Sequence, residues 1–156
     1  MAAGATAGRT AAAARLGFLG LPLVALLSVE FLLGMGLNLF VTLPGGAPLA
    51  ILASSPTLVA HVIVAVLLLG LAANILRTAL RDGQRRDVLV ASLGLLSGAV
   101  AFGAGLSFTF AGGSDGASYA MSAGFLGMVL EAAYFLRSFP SSTDVPAASA
   151  RSGAGG

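Results

Sequence analysis

The chain has 156 residues, of which 57% are hydrophobic and only 9% charged, with a net charge of +2 and a mean hydropathy of +0.97. Soluble domains carry about 25% charged residues, so this composition excludes a water-exposed globular protein and indicates a single domain in a lipid bilayer. The sequence has no Cys, which excludes disulfides, thiolate metal sites and a Cys nucleophile.

Four segments have the ~20 apolar residues that a helix needs to cross the hydrocarbon core. The sequence therefore predicts an all-α, four-helix transmembrane bundle over residues 16–137, with spans at about 16–41, 57–80, 88–110 and 118–136. Turn-forming residues separate the spans. Residues 1–15 and 138–156 have no apolar pattern and are predicted to be disordered cytoplasmic ends. The first apolar run is too long for a signal peptide, so we interpret it as an uncleaved span.

The distribution of arginine predicts the orientation. The chain has no Lys, and its eight basic residues flank the first span, the second connection and the fourth span: Arg9, Arg15, Arg77, Arg81, Arg85, Arg86, Arg137 and Arg151. The first and third connections have none. By the positive-inside rule, both termini and the middle connection are predicted to be cytoplasmic. This is a topology signal, and the bilayer is the predicted partner; no basic stripe with interleaved aromatics indicates nucleic acid.

The first span carries an acid near its centre. Glu30 lies on one broad stripe with Gly34 and Asn38. A charge at that depth costs about 2.5–3.5 kcal/mol on insertion scales, and intramembrane acids are functional candidates by default. The neutral acid is the expected state because burial disfavours charge. Ser28 and Ser97 are the predicted partners of Glu30, a buried hydrogen-bonding role is the alternative to a proton or substrate site, and Asn38 is predicted to donate an interhelical hydrogen bond.

The second span contains the single histidine. His61 shares a helix face with Ala65, Leu68 and Ala72, whereas Asn74 lies on a different face. Counting along the spans places His61 and Asn38 in the outer half of the membrane and Glu30 at the middle or inner half. We weigh three roles for His61: an interfacial or hydrogen-bonded residue, a proton-handling site, and a haem ligand.

The third and fourth spans have faces made of small residues, which let helix backbones approach closely. The predicted packing residues are Gly94, Gly98, Gly105, Gly124 and Gly127. Glu131 continues the face of Gly124 and Gly127, so it is predicted to point into the bundle. An inner packing or snorkelling role is the first interpretation of Glu131, and a secondary proton site is the alternative.

The stretches EFLLGMGLNLFVTLP, HVIVAVLLLGLAANILRTALR and ASYAMSAGFLGMVLEAAYFL resemble small four-span integral membrane proteins of actinobacterial type over residues 16–137. That resemblance implies the topology and no activity. An acid in the first of four spans is also similar to the small multidrug resistance transporters, in which such an acid binds cations and protons. This chain departs from that pattern: it is longer, has no Trp, has a longer first connection and carries a second acid at Glu131.

Three functions follow as hypotheses. The first is a proton-linked carrier or permease, as a homodimer, in which Glu30 exchanges a proton with substrate and Glu131 and His61 assist. The second is a non-enzymatic accessory or structural subunit that docks a larger membrane partner. The third is a haem or quinone protein with His61 as ligand, in which haem needs either a dimer or a second ligand such as Met35 or Met121. The sequence shows no catalytic motif, so we expect no enzyme, no metal and a multi-pass location in the cell membrane.

Overall fold

The structure, a computed structural model, describes residues 2–41, 47–82, 84–110 and 114–137. Its helices are α1 (Ala2–Phe40), α2 (Pro48–Ala53), α3 (Pro56–Asp82), α4 (Arg85–Phe110) and α5 (Asp115–Leu136). All of these described elements are helical, and four of the helices are long and apolar enough to cross a membrane. The predicted all-α bundle with four potential spans is confirmed.

The potential spans are Ala13–Phe40, Pro56–Arg81, Arg85–Phe110 and Asp115–Leu136, within three residues of the predicted boundaries. Two features differ from the prediction. Helix α1 begins at Ala2, where disorder was predicted up to residue 15; alanine has the highest helix propensity and is frequent there. The short helix α2 was not predicted. The tail predicted at 138–156 lies outside the described residues.

Local chemistry explains where the helices begin. Helices α2 and α3 both begin with proline, which has no N–H to leave unsatisfied at the first helical position. The hydroxyl of Ser55 accepts from the backbone N–H of Leu58 at 3.4 Å, and the hydroxyl of Ser114 accepts from that of Ala117 at 3.2 Å. These serines cap α3 and α5. The caps fix the ends of two helices at the same end of the bundle.

The four long helices are arranged in a ring. Helix α1 packs against α3 and α5, and α4 packs against the same two helices. Neighbours run antiparallel: the Tyr134 hydroxyl near the end of α5 donates to Asp87 near the start of α4 at 2.9 Å. We call the end where α3 finishes and α4 begins the Arg-rich end, because Arg77, Arg81, Arg85 and Arg86 lie there. The opposite end is the Arg-free end.

The buried core occupies the Arg-rich half of the bundle. It is formed by the first part of α1, the last parts of α3 and α5, and the start of α4: Leu16, Leu23, Leu27, Leu68, Ala72, Ile75, Ala79, Ala91, Met128, Ala132 and Phe135. The predicted face of His61 includes Leu68 and Ala72 of this core, whereas Asn74 is exposed. The Arg-rich half is therefore closed by packed side chains.

The contact between α4 and α5, which we call the seam, is the most extensive between the described helices. A Cβ added to Gly124 would overlap the carbonyl oxygen of Ser97 and lie 2.8 Å from the backbone nitrogen of Ala101. A Cβ at Gly127 would overlap the Ser97 hydroxyl, and one at Gly98 would lie 3.0 Å from Met128 Sδ. Four of the predicted packing glycines, Gly94, Gly98, Gly124 and Gly127, thus lie in the seam. A Cβ added to Gly105 would lie 3.6 Å from its nearest neighbour, Met121 Sδ, so the helices pack less closely there.

We expect Gly124→Ala to lower the free energy of unfolding by about 1–3 kcal/mol, because the new methyl group overlaps backbone atoms that cannot rotate away. Gly103→Ala on α4 is the matched control: nothing lies within 4 Å of a Cβ there, so this change is expected to be neutral or stabilising by up to about 1 kcal/mol. Unfolding in mixed detergent, followed by circular dichroism, measures both. Equal stability of the two variants would contradict the packing of the seam.

Candidate functional site

The Arg-free half of the bundle contains a cavity of about 880 Å³, which we call the vestibule. It is lined by the second half of α1 from Glu30, the first half of α3 up to Leu69, α4 from Gly98 and α5 down to Met128, with Ile51 and Leu52 of α2. The floor of the vestibule is the top of the packed core, since Leu68 and Met128 belong to both. The helices thus form a cup, closed at one end and hollow at the other.

An acid and an imidazole meet in the vestibule. Glu30 Oε1 and His61 Nδ1 are 3.2 Å apart, and the side chains are 11% and 21% exposed, respectively. The alignment is not that of a hydrogen bond, and Glu30 Oε2 likewise has no hydrogen-bond partner among the described residues. The two groups are close enough to share or exchange a proton, and their unused hydrogen-bonding capacity is available to a molecule that enters the vestibule.

A glycine makes room for the imidazole. A Cβ added to Gly34, one turn beyond Glu30, would lie 3.4 Å from His61 Cε1. The ring therefore packs against bare backbone on α1, and this contact brings Nδ1 to the carboxyl group. The stripe of Glu30, Gly34 and Asn38 predicted from the sequence is the wall of α1 that faces the vestibule.

The pairing of Glu30 with His61 differs from the prediction in two ways. The predicted partners of Glu30 make other contacts. The Ser28 hydroxyl donates to the Val24 carbonyl at 2.9 Å, and Ser97 packs against Gly127 in the seam. The sequence also placed Glu30 and His61 in different layers of the membrane, whereas their side chains are in contact. Depth counting treats the spans as rods with level ends and ignores the reach of the side chains, and here the carboxylate and the imidazole bridge the difference.

Asn38 was predicted to bond across to another helix, and it does not do so within the described residues. Its side chain is exposed and lines the vestibule. The physical reason is the cavity itself: the helices are apart at this level, so α1 presents Asn38 to open space. Asn38 is therefore placed to contact a bound molecule rather than to fix helix register.

Glu131 lies outside the vestibule, in the Arg-rich half of the seam. Its side chain is 2% exposed and faces Gly94. The prediction that it points into the bundle is confirmed, whereas the snorkelling alternative is wrong, because the carboxyl group is buried between two helices. Glu30 contacts α3 and Glu131 contacts α4, so different helix interfaces hold the two acids.

The walls of the vestibule are aromatic and sulfur-rich, a feature that sequence reasoning missed. The hydroxyl residues Thr109, Ser118 and Ser122 lie among five phenylalanines and three methionines. These apolar lining residues are Phe31, Phe102, Phe108, Phe110, Phe125, Met35, Met121 and Met128. Their positions in the sequence could have indicated the cavity, since most of these residues lie in the halves of the spans nearest the Arg-free connections. Neither Lys nor Arg is among the described lining residues.

The described residues do not form a metal site of His and carboxylate ligands, since no three His, Asp or Glu side chains lie close together among them. His61, Met35 and Met121 do line the same cavity. A shallower groove of about 450 Å³ between α1 and α5 is apolar apart from Ser28 and faces outward. Of these two cavities, the vestibule is the one whose described lining includes ionisable groups, Glu30 and His61.

Comparisons with protein families, with curated proteins and with solved structures give no match to this chain. Any functional conclusion must therefore come from the vestibule and its residues.

We predict that Glu30 and His61 are energetically coupled. In a double-mutant cycle of Glu30→Ala and His61→Ala, the unfolding free energies should deviate from additivity by about 0.5–3 kcal/mol, because each single change leaves the other polar group buried without its partner. Unfolding in mixed detergent gives the unfolding free energies of the unmodified chain, the two single variants and the double variant. Strict additivity would show that the two side chains do not interact.

Proposed function

We propose that this chain is a small, multi-pass membrane carrier that binds a mainly apolar small molecule in the vestibule and exchanges a proton with it at Glu30 and His61. The observation that carries the proposal is the 3.2 Å contact between these two groups inside a cavity bounded by apolar helices. Ionisable residues are rare within membrane-spanning segments and mark ion or substrate pathways there.

The size and lining of the vestibule support a small-molecule ligand. Ligand pockets usually measure about 300–1,000 Å³ and combine apolar and aromatic walls with a few polar groups, and the vestibule has this composition. Phenylalanine rings and methionine thioethers accept varied apolar shapes. The lack of Lys or Arg among the described lining residues disfavours an anion and favours a neutral or cationic molecule.

Charge balance links binding to a proton. In surroundings of low polarity, a net charge is costly, so the pair is most stable as two neutral groups or as carboxylate with imidazolium. Both forms hold one exchangeable proton more than a carboxylate beside a neutral imidazole. A cationic ligand beside Glu30 restores neutrality only if that proton leaves. Entry of a cation and release of a proton are thereby coupled.

The distribution of arginine supports the orientation that we propose. With the Arg-rich end cytoplasmic, both termini are inside and the vestibule opens toward the outer face of the cell membrane. The carrier is preferred over an accessory subunit because the small faces of α4 and α5 pack on each other and so are not free to dock a partner. A homodimer remains a prediction.

Glu30→Gln should abolish proton-linked transport, because the amide cannot exchange a proton. The test reconstitutes the full chain in proteoliposomes that enclose a pH-sensitive dye and applies a panel of small apolar amines and neutral aromatics under a pH gradient. Compound-driven proton currents, read from the dye, are expected for the unmodified chain with at least one compound class. They should fall to the protein-free level in Glu30→Gln.

Asp115→Asn is the matched control, since it removes an exposed carboxylate at the start of α5, outside the vestibule lining, and should leave the currents unchanged. Ala65→Phe, which fills part of the vestibule, should weaken the response to every active compound. Currents that persist in Glu30→Gln, or a complete lack of response in the unmodified chain, would overturn the carrier proposal.

One further function is favoured by a specific observation. His61 shares the vestibule with Met35 and Met121, and a carboxylate contacts one ring nitrogen of His61, an arrangement that orients many metal-ligating histidines. A haem protein would give a visible absorption band that is lost in His61→Ala. The carrier proposal predicts instead a colourless protein, and a spectrum of protein purified from haem-replete cells decides between them.

A further inference from the structure

Glu131 is the most deeply buried ionisable side chain among the described residues. Only 2% of its surface is exposed, and neither carboxyl oxygen has a hydrogen-bond partner there. A Cβ added to Gly94 would overlap the carboxyl group, so the acid fits into the seam only because α4 has no side chain at that position. An unsatisfied buried polar group is costly and calls for a functional explanation.

No described charge compensates Glu131. The helices packed against α5 are α4 and α1, and their described ionisable side chains are Arg85, Arg86, Asp87, Arg15 and Glu30. The three arginines are exposed, Asp87 accepts from Tyr134, and Glu30 contacts His61. On α5 itself, Asp115, Tyr119 and Arg137 are exposed. An ionised Glu131 in the closed seam would therefore have neither solvation nor a compensating charge.

We infer that Glu131 is a second proton-binding site, and that its proton keeps the Arg-rich half of the seam closed. With the proton bound, the neutral acid lies against Gly94 and the glycine faces stay in contact. When the proton leaves, the carboxylate needs water or a cation, which only separation of α4 from α5 can supply. This inference rests on the seam and is independent of what the vestibule binds.

The construction of the seam permits such a movement. Each of its glycines faces a group on the opposite helix, which is backbone at Gly124 and a side chain at Gly94, Gly98 and Gly127. The described side-chain hydrogen bond across the seam, from Tyr134 to Asp87, lies near the Arg-rich end. Met128, one turn from Glu131, packs against Gly98 at the floor of the vestibule, and its side chain is flexible. Opening at Glu131 would thus lead toward the vestibule from the opposite side of the membrane.

Spin-label distances test the inference directly, because the chain has no native Cys. Labels at Leu89→Cys and Ala133→Cys, both exposed positions near the Arg-rich end of the seam, report its opening in the full chain in lipid nanodiscs. Labels at Leu106→Cys and Tyr119→Cys report the Arg-free half of the same seam. We expect the first distance to lengthen as the pH is raised, by more than the width of its low-pH distribution, and the second to stay constant.

The pH response should disappear in Glu131→Gln, which remains at the short distance, and persist in Glu131→Asp and Glu30→Gln. Loss of transport in Glu30→Gln with an intact response therefore separates this site from the carrier proposal. An unmodified chain with a constant distance, or a Glu131→Gln chain that still opens, would disprove the inference.

An infrared measurement keeps the inference testable if Glu131→Gln does not fold. In the Glu30→Gln background, raising the pH should remove the C=O band of a protonated carboxyl group in step with the change in distance. If no such band is present at low pH, Glu131 holds no proton and the inference fails.

Discussion

The structure depends on how an apolar bundle accommodates a carboxyl group in its interior. Glu30 cannot be solvated by lipid, and no arginine is available at its level, so the only described ionisable group that reaches it is the imidazole of His61. That contact places the imidazole beside Gly34, and it requires α1 and α3 to be neighbours in the bundle. The same contact places an acid–base pair where a ligand can reach it.

The two halves of the bundle differ in how completely side chains fill the space between the helices. In the Arg-rich half, aliphatic side chains and glycine-mediated contacts leave no room between the helices. In the Arg-free half, the helices are lined by phenylalanine, methionine and small residues that do not fill the space between them. A cup with one closed and one open end is the shape expected of one state of a carrier that alternates its access, and in the closed half the buried carboxyl group of Glu131 lies in the glycine seam.

Much of the architecture could be predicted because it follows from composition along single helices. Hydropathy located the four spans, and the spacing of Gly94, Gly98, Gly124 and Gly127 identified the small faces that the structure packs together in the seam. The pairing of Glu30 with His61 could not be predicted, because it depends on how far α1 and α3 are displaced along their axes. The intervening α2 and the connection at 42–46 leave that displacement undetermined by sequence. The vestibule was missed for a related reason: a cavity results from what four helices together fail to fill.

The most direct test is a measurement of the contact between Glu30 and His61. Isotope labels can be assigned easily, because the chain has one His and two Glu, at 30 and 131. With ¹⁵N-labelled His and ¹³C-labelled Glu, solid-state NMR in lipid bilayers can detect a through-space correlation between the imidazole and a carboxyl carbon. We expect this correlation in the unmodified chain and in Glu131→Gln, and its loss in Glu30→Gln. A spectrum of the unmodified chain without it, or one in which it survives Glu30→Gln, would contradict the pairing on which the proposed function depends.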